Sequence, residues 1–189
     1  GKWRVNRFAR RNLLMMTSDY EQRVVALSEE QRSRHYGKYR GLVRDVEDPE
    51  GVGRIIAQVP ELYGEEDSPW AWPVVPFAGQ GHGLVLLPEP GDGIWIECEA
   101  GDMARPIWTG CWWASGELPD PGGPETRALV TSGGHKLVLD DSQNQIQLRH
   151  AGGAELTMTD SDITLKIGTT SVVLSGQGVN INNRAFQVR

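Results

Sequence analysis

The run KLVLDDSQNQIQLRHAGGAELTMTDSDITLKIGTTSVVLSGQGVNI, Lys136 to Ile181, decides the fold class. Its apolar residues come in short bursts on every second position: Leu137 and Leu139, Ile146 and Leu148, Leu156 and Met158, Ile163, Leu165 and Ile167, Val172 and Leu174, Val179 and Ile181. The first members step by nine, ten, seven, nine and seven residues, a loose repeat of about eight. Alternation with period two is the signature of β-strands, and the Thr, Ser, Asn, Gln, Asp and Lys between the apolar positions belong to a wet face.

Each such strand brings too little apolar surface to hold itself. Two aliphatic side chains stabilise by ~4 kcal/mol at ~2 kcal/mol each, against an ordering cost of ~1–2 kcal/mol per residue over about five residues. If three copies wind together, each supplying one face of a triangular prism, the apolar residues meet on a shared axis. Every strand edge would then pair with a neighbouring chain, which removes the aggregation hazard of open edges. The competing arrangement is a single-chain antiparallel meander stacked back on the rest of the protein. It is disfavoured because the segment offers no second sheet or helix to cover the apolar side.

Four regions follow from composition. Residues 1–38 are a basic and apolar arm, with Lys2-Trp3-Arg4-Val5-Asn6-Arg7-Phe8-Ala9-Arg10-Arg11 ahead of Leu13-Leu14-Met15-Met16, followed by a short helix. Ser18 and Glu21 form a capping-box pair, and Tyr20, Val24 and Leu27 recur at helical spacing. Residues 39–115 read as β throughout, with strands expected at Tyr39 to Val46, Gly53 to Val59, Leu84 to Leu87, Gly93 to Glu99 and Pro106 to Trp112. Five short strands in about 75 residues predict a small barrel of the oligonucleotide/oligosaccharide-binding (OB) type. A proline-bracketed loop, Pro60 to Gly83, has a stiff, aromatic composition suited to docking on a surface. Residues 116–127 hold three Pro and three Gly and read as a linker, and residues 128–189 are the alternating strands, with Phe186 their only aromatic. The expected architecture is all-β: an OB-like barrel followed by an intertwined trimeric β-helix or β-prism, with an N-terminal arm and short helix.

The net charge of −6 conceals a split. Residues 1 to 40 carry ten Lys or Arg against four Asp or Glu, and the other 149 carry nine against 21. Arm and body therefore face different partners. Residues 41 to 115 contain three Arg against thirteen acidic residues, which would repel a phosphate backbone. Trp70, Trp72, Trp95, Trp108, Trp112 and Trp113 are thus expected as core and protein-interface anchors rather than base-stacking platforms. No apolar run approaches the ~20 residues of a membrane-spanning helix, and residues 1 to 16 are too basic and broken for a signal peptide, so synthesis in the cytoplasm is expected.

Sites for chemistry are few. Cys98 and Cys111 have no metal-ligand spacing around them and read as small core residues, with their pairing left open. Gly79-Gln80-Gly81-His82-Gly83 has the composition of a phosphate loop but follows a Pro-rich loop and opens no helix, so it reads as a turn. Glu97 and Glu99 flank Cys98 on one strand, a carboxylate pair that reads as a solvated face. His35, His82, His135 and His150 are scattered, and no catalytic residue, metal site or cofactor is expected. In a trimer one histidine per chain can meet its copies on the axis, and His150 is the residue weighed for that role, but the scattered spacing favours no such site.

Pro69-Trp70-Ala71-Trp72-Pro73-Val74-Val75-Pro76, Leu87-Pro88-Glu89-Pro90-Gly91-Asp92-Gly93-Ile94-Trp95-Ile96-Glu97, Glu99-Ala100-Gly101-Asp102 and Pro106-Ile107-Trp108-Thr109-Gly110 occur in an order that resembles the barrel of contractile-tail spike proteins. Tyr39-Arg40-Gly41-Leu42-Val43 and Gly53-Arg54-Ile55-Ile56-Ala57-Gln58-Val59-Pro60 fit its opening strands. The family includes the phage baseplate central spike (baseplate assembly protein V, or tail lysozyme), the valine-glycine repeat proteins of type VI secretion and the spikes of extracellular injection particles. The resemblance implies a homotrimer in the virion tail baseplate, made in the host cytoplasm, whose needle pierces the target envelope. It implies a hub protein or tail tube at the N-terminal side, met by Trp70, Trp72, Trp112 and Trp113, and a small tip protein at Ala185, Phe186, Gln187, Val188 and Arg189. With only about 38 residues ahead of the barrel, that hub is expected to be a separate protein, and the basic arm, Gly1 to Met16, to reach toward it. Where the T-even phage member has a muramidase domain, residues 116–127 are a linker, so no lysozyme activity is expected; the end of the chain lacks the iron-binding His-x-His of some short needles. The alternatives are an OB module that binds cell-wall glycan or single-stranded nucleic acid, and a cell-wall hydrolase acting through Glu97 or Glu99.

Overall fold

The computed structural model describes residues 21–29, 31, 33–182 and 185–188. The basic arm and the Ser18 cap lie outside these residues; residues 21–29 are helical. The chain divides into two compact units, residues 1–114 and 115–189. Among the described residues no helix is long and apolar enough to cross a membrane.

The first unit is built on a five-stranded sheet of β1 (Tyr39–Asp45), β2 (Ile56–Gln58), β3 (Trp72–Pro73), β6 (Gly93–Cys98) and β7 (Pro106–Trp112), in the order β2-β1-β6-β7-β3. Only β3 and β7 run parallel. Ile55 and Ala71, each just ahead of an outer strand, exchange both backbone hydrogen bonds at 3.1 and 2.8 Å, which brings the two ends of the sheet together. The curl encloses Val43, Ile55, Ala57, Val59, Leu62, Ala71, Ile94, Ile96, Cys98 and Trp108. β6 is central in the sheet, and its alternate residues Ile94, Ile96 and Cys98 are all buried. Close approach explains Gly41: a Cβ there would lie 2.8 Å from the Gln58 carbonyl oxygen and 2.9 Å from a Val59 methyl. A helical turn, Pro60–Tyr63, drops Leu62 into the core.

Four of the five strands expected here form, the second of them shortened. Leu84 to Leu87 does not: the segment has no strand partner, and all four residues are exposed. It follows a hairpin, β4 (Ala78–Gly79) and β5 (His82–Gly83), that is a separate two-stranded sheet. The glycine-rich motif is the turn of that hairpin, with Gly81 at φ +75°. An apolar run predicts burial, and within this unit no sheet edge is offered to Leu84–Leu87.

The second unit is an eight-stranded antiparallel meander, β8 (Thr126–Val130), β9 (Lys136–Asp140), β10 (Gln145–Arg149), β11 (Glu155–Met158), β12 (Asp162–Ile167), β13 (Thr170–Ser175), β14 (Gly178–Ile181) and β15 (Phe186–Val188), paired in chain order. β8 begins at Thr126, inside the segment expected as linker. The linker's end is tied down, since the Asp141 N–H donates to the Glu125 carbonyl at 2.9 Å and Lys136 Nζ donates to the Asp120 carbonyl. The whole protein is all-β in character, a barrel followed by a β-rich domain. Within the chain the six internal strands, β9 to β14, pair on both edges. Hairpins close locally at lower entropic cost than exchanged strands.

Candidate oligomerisation face

Register turns the sequence alternation into a surface. Across β8 to β15, Leu129, Leu137, Leu148, Leu156, Leu165, Val172, Ile181 and Phe186 are successive cross-strand partners and form one row. Leu139, Ile146, Met158, Ile163, Leu174 and Val179 form a second. Side chains alternate between faces along a strand, so both rows lie on one side of the sheet. Ile167 stands one step beyond, across from Thr170 at the hairpin end. The structure therefore brings all thirteen expected needle residues onto one face and adds Leu129 and Phe186.

That face is bare. Leu148 is 57 % exposed and Ile167 69 %, and the other large residues of both rows are exposed or half-buried. Among the described residues of the unit only Val138, on the opposite side, is buried. The opposite face was expected to be the wet one. On it Gln145, Gln147, Asp162 and Thr164 are half-buried, while Ile146, Leu148, Ile163 and Leu165 between them, on the bare face, are exposed. An apolar face more exposed than the polar face behind it inverts normal burial and calls for a covering partner.

At the hairpin end of the same face, register carried one step past Lys136 and Arg149 sets His135 beside His150, ring centroids 4.5 Å apart. Their Nδ1 atoms accept the Ala151 and Gly152 N–H groups at 3.3 and 2.9 Å, so both rings hold turns. Of the expected tip residues, Ala185 and Phe186 are exposed, Phe186–Val188 form the edge strand β15, and Arg189 lies outside the described residues.

The barrel's tryptophans divide by depth. Trp108 is core, its Nε1 donating to the Gly53 carbonyl at 3.1 Å. Of the expected hub anchors, Trp72 and Trp113 are exposed and Trp70 and Trp112 half-buried. The Arg54 guanidinium lies 5.6 Å from the Trp70 and Trp72 rings, and that of Arg40 lies 5.2 Å from Trp95 and Trp112. Arg54 is in turn held by Asp48 at 2.7 Å, with the Glu50, Val52 and Arg54 N–H groups donating to the same carboxylate. The Arg54 hydrogen bond, then those backbone bonds, hold the Asp48 carboxyl well below the usual range. A depressed folded-state value means the stabilisation is complete above the unfolded pKa near ~4 and is lost as pH falls through the folded value. Asp48→Asn is expected to lower the Tm of the first unit by several degrees at pH 7, with the gap to wild type narrowing in acid; a thermal melt series from pH 7 to pH 2 checks it.

The remaining sequence candidates separate. Glu97 pairs with Lys38, and Glu99 opens a 3-10 turn and pairs with Arg105 at 3.2 Å, so the two carboxylates serve different surface ion pairs. Cys98 lies across from Pro106 and Cys111 from Ile94, so the two thiols sit at opposite ends of the β6–β7 pair and are free. Burial pushes both thiols up.

Two family models match the chain. Residues 39–113 match the type VI secretion system/phage-baseplate injector OB domain, and residues 127–187 match the phage baseplate V C-terminal trimerisation domain. Together they take in well over half of the sequence, and the chain belongs to the baseplate V family of phage and type VI injectors. Its class is that of a structural, spike-like baseplate component, and the bare apolar face belongs to a domain that makes homotrimers. No curated protein matches the chain.

Proposed function

We propose that the protein is the central spike of a contractile injection machine, a homotrimer that docks on the baseplate hub through its barrel and drives its C-terminal domain through the target envelope. The observation that carries this reading is the apolar face of the meander, bare in one chain and contained in a trimerisation domain. Three such faces turned to a common axis bury both rows and leave the polar sides outward, giving a rigid prism. The work of piercing comes from the contracting sheath, and the chain acts as the point, with no chemical step of its own.

In this reading Leu137, Leu139, Ile146, Leu148, Leu156, Met158, Ile163, Leu165, Ile167, Val172, Leu174, Val179 and Ile181 form the trimer core. Trp72 and Trp113, exposed on an otherwise acidic barrel, are the aromatic anchors for the hub, with Trp70 and Trp112 behind them. β15 presents one open strand edge at the end of the sheet, a surface that a tip protein can extend. Gold-labelled antibody against the chain should mark the distal centre of the baseplate in electron micrographs of contractile particles. Label along the sheath, or its absence from assembled particles, would contradict the proposal.

A further inference from the structure

One exposed apolar segment of the first unit is unaccounted for by its own fold. Val74 to Leu87 contains no Asp, Glu, Lys or Arg, in a barrel region that carries thirteen acidic residues against three Arg. The segment is rooted where the Val74 N–H donates to the Trp108 carbonyl at 2.9 Å, and the Leu84 N–H closes its stem on the Phe77 carbonyl at 3.3 Å. Beyond the root, Val74, Phe77, Val85 and Leu86 are all more than half exposed, Val85 at 79 %. A cavity of about 670 Å³ opens between the stem and the segment Val46 to Gly53, with Val52, Pro73, Leu84 and Trp108 in its wall.

We infer that this arm packs into the corresponding groove, at Val46 to Gly53, of a second copy of the chain, forming a ring of three contacts among the barrels. The inference rests on the trimer. The trimerisation domain tethers three barrels through the short stretch between the two units, which raises their mutual concentration to the millimolar range typical of short linkers. Bodies of strong like charge repel, so contact between them is favoured where charge is absent or paired: Val74 to Leu87 carries none, and in the receiving groove Asp48 and Glu50 are both paired with Arg54. Threefold symmetry also dictates the form. Away from the axis, a contact between copies of a C3 trimer joins two different patches, and an arm meeting a groove closes such a ring without leaving a free end.

The test places the photo-crosslinking residue p-benzoylphenylalanine at Val85 in the 189-residue chain, whose mass in solution is first measured. Irradiation of the trimer is expected to give chain-to-chain adducts on a denaturing gel, with the crosslinked peptide mapping to Val46–Gly53 of the second chain. A trimer that gives only intrachain products, no adduct, or adducts at residues 1–16 or at another arm would overturn the arm-to-groove contact and leave the spike reading intact. A monomer before irradiation would instead overturn the trimer on which the inference rests.

Discussion

Leu148→Asp combined with Ile163→Asp is expected to abolish the trimer at micromolar concentration. Both residues point from the bare face, one in each apolar row, and three copies bring six carboxylates into the space where the faces meet. An ionised carboxylate buried without a partner costs several kcal/mol, and six exceed what the face can gain. The paired control is Gln147→Asp with Thr164→Asp, each one residue away on the opposite side of the same strands, which should leave the trimer intact. Sedimentation velocity distinguishes the two variants. Loss of the trimer in both would mean the polar side carries assembly.

Trp108→Ala is expected to unfold the barrel while sparing the trimer. The indole is 5 % exposed among Val43, Ile55, Ile94 and Ile96, and its Nε1 supplies the Gly53 carbonyl with a donor. Removing a buried Trp costs ~3–5 kcal/mol, a large share of the ~5–15 kcal/mol that holds a typical domain together. In thermal melts the transition of the first unit should fall by well over ten degrees, while the mass in solution stays that of wild type. An unchanged barrel transition would show that the core is held elsewhere.

How much of this was legible in sequence depends on distance along the chain. The two-residue alternation from Leu137 to Ile181 already marked thirteen members of the apolar face, because strand geometry sends alternate side chains to one side whatever the strands pair with. What pairs with what was not legible: the same pattern serves strands paired within the chain, as β8 to β15 are, or strands exchanged between chains. Leu129 escaped notice because its strand, Thr126–Val130, has no apolar residue two positions away, and Phe186 was read as part of the tip rather than of the row. Leu84–Leu87 was misread as a strand because apolar character signals burial without saying against which partner. The inversion of burial at Gln147 and Leu148 had no sequence signal at all, since alternation says which residues share a face but not which face a partner covers.

The barrel's ion pairs show the same limit. Asp48 and Arg54 lie six residues apart and nothing in their spacing marks them as partners, yet the turn between them folds around that carboxylate. Glu97 and Glu99, which do look like a pair, are drawn apart by the 3-10 turn that begins at Glu99. Proximity in sequence is a poor guide where loops rather than strands set side-chain direction.

The central claim is that the bare face of the second unit is covered by two further copies of the chain. Light scattering on the purified 189-residue chain, across a dilution series into the low micromolar range, tests it most directly. The account predicts a single species of three times the 20.9 kDa of one chain, unchanged on dilution. A stable species of 20.9 kDa that keeps its β-sheet spectrum would contradict it.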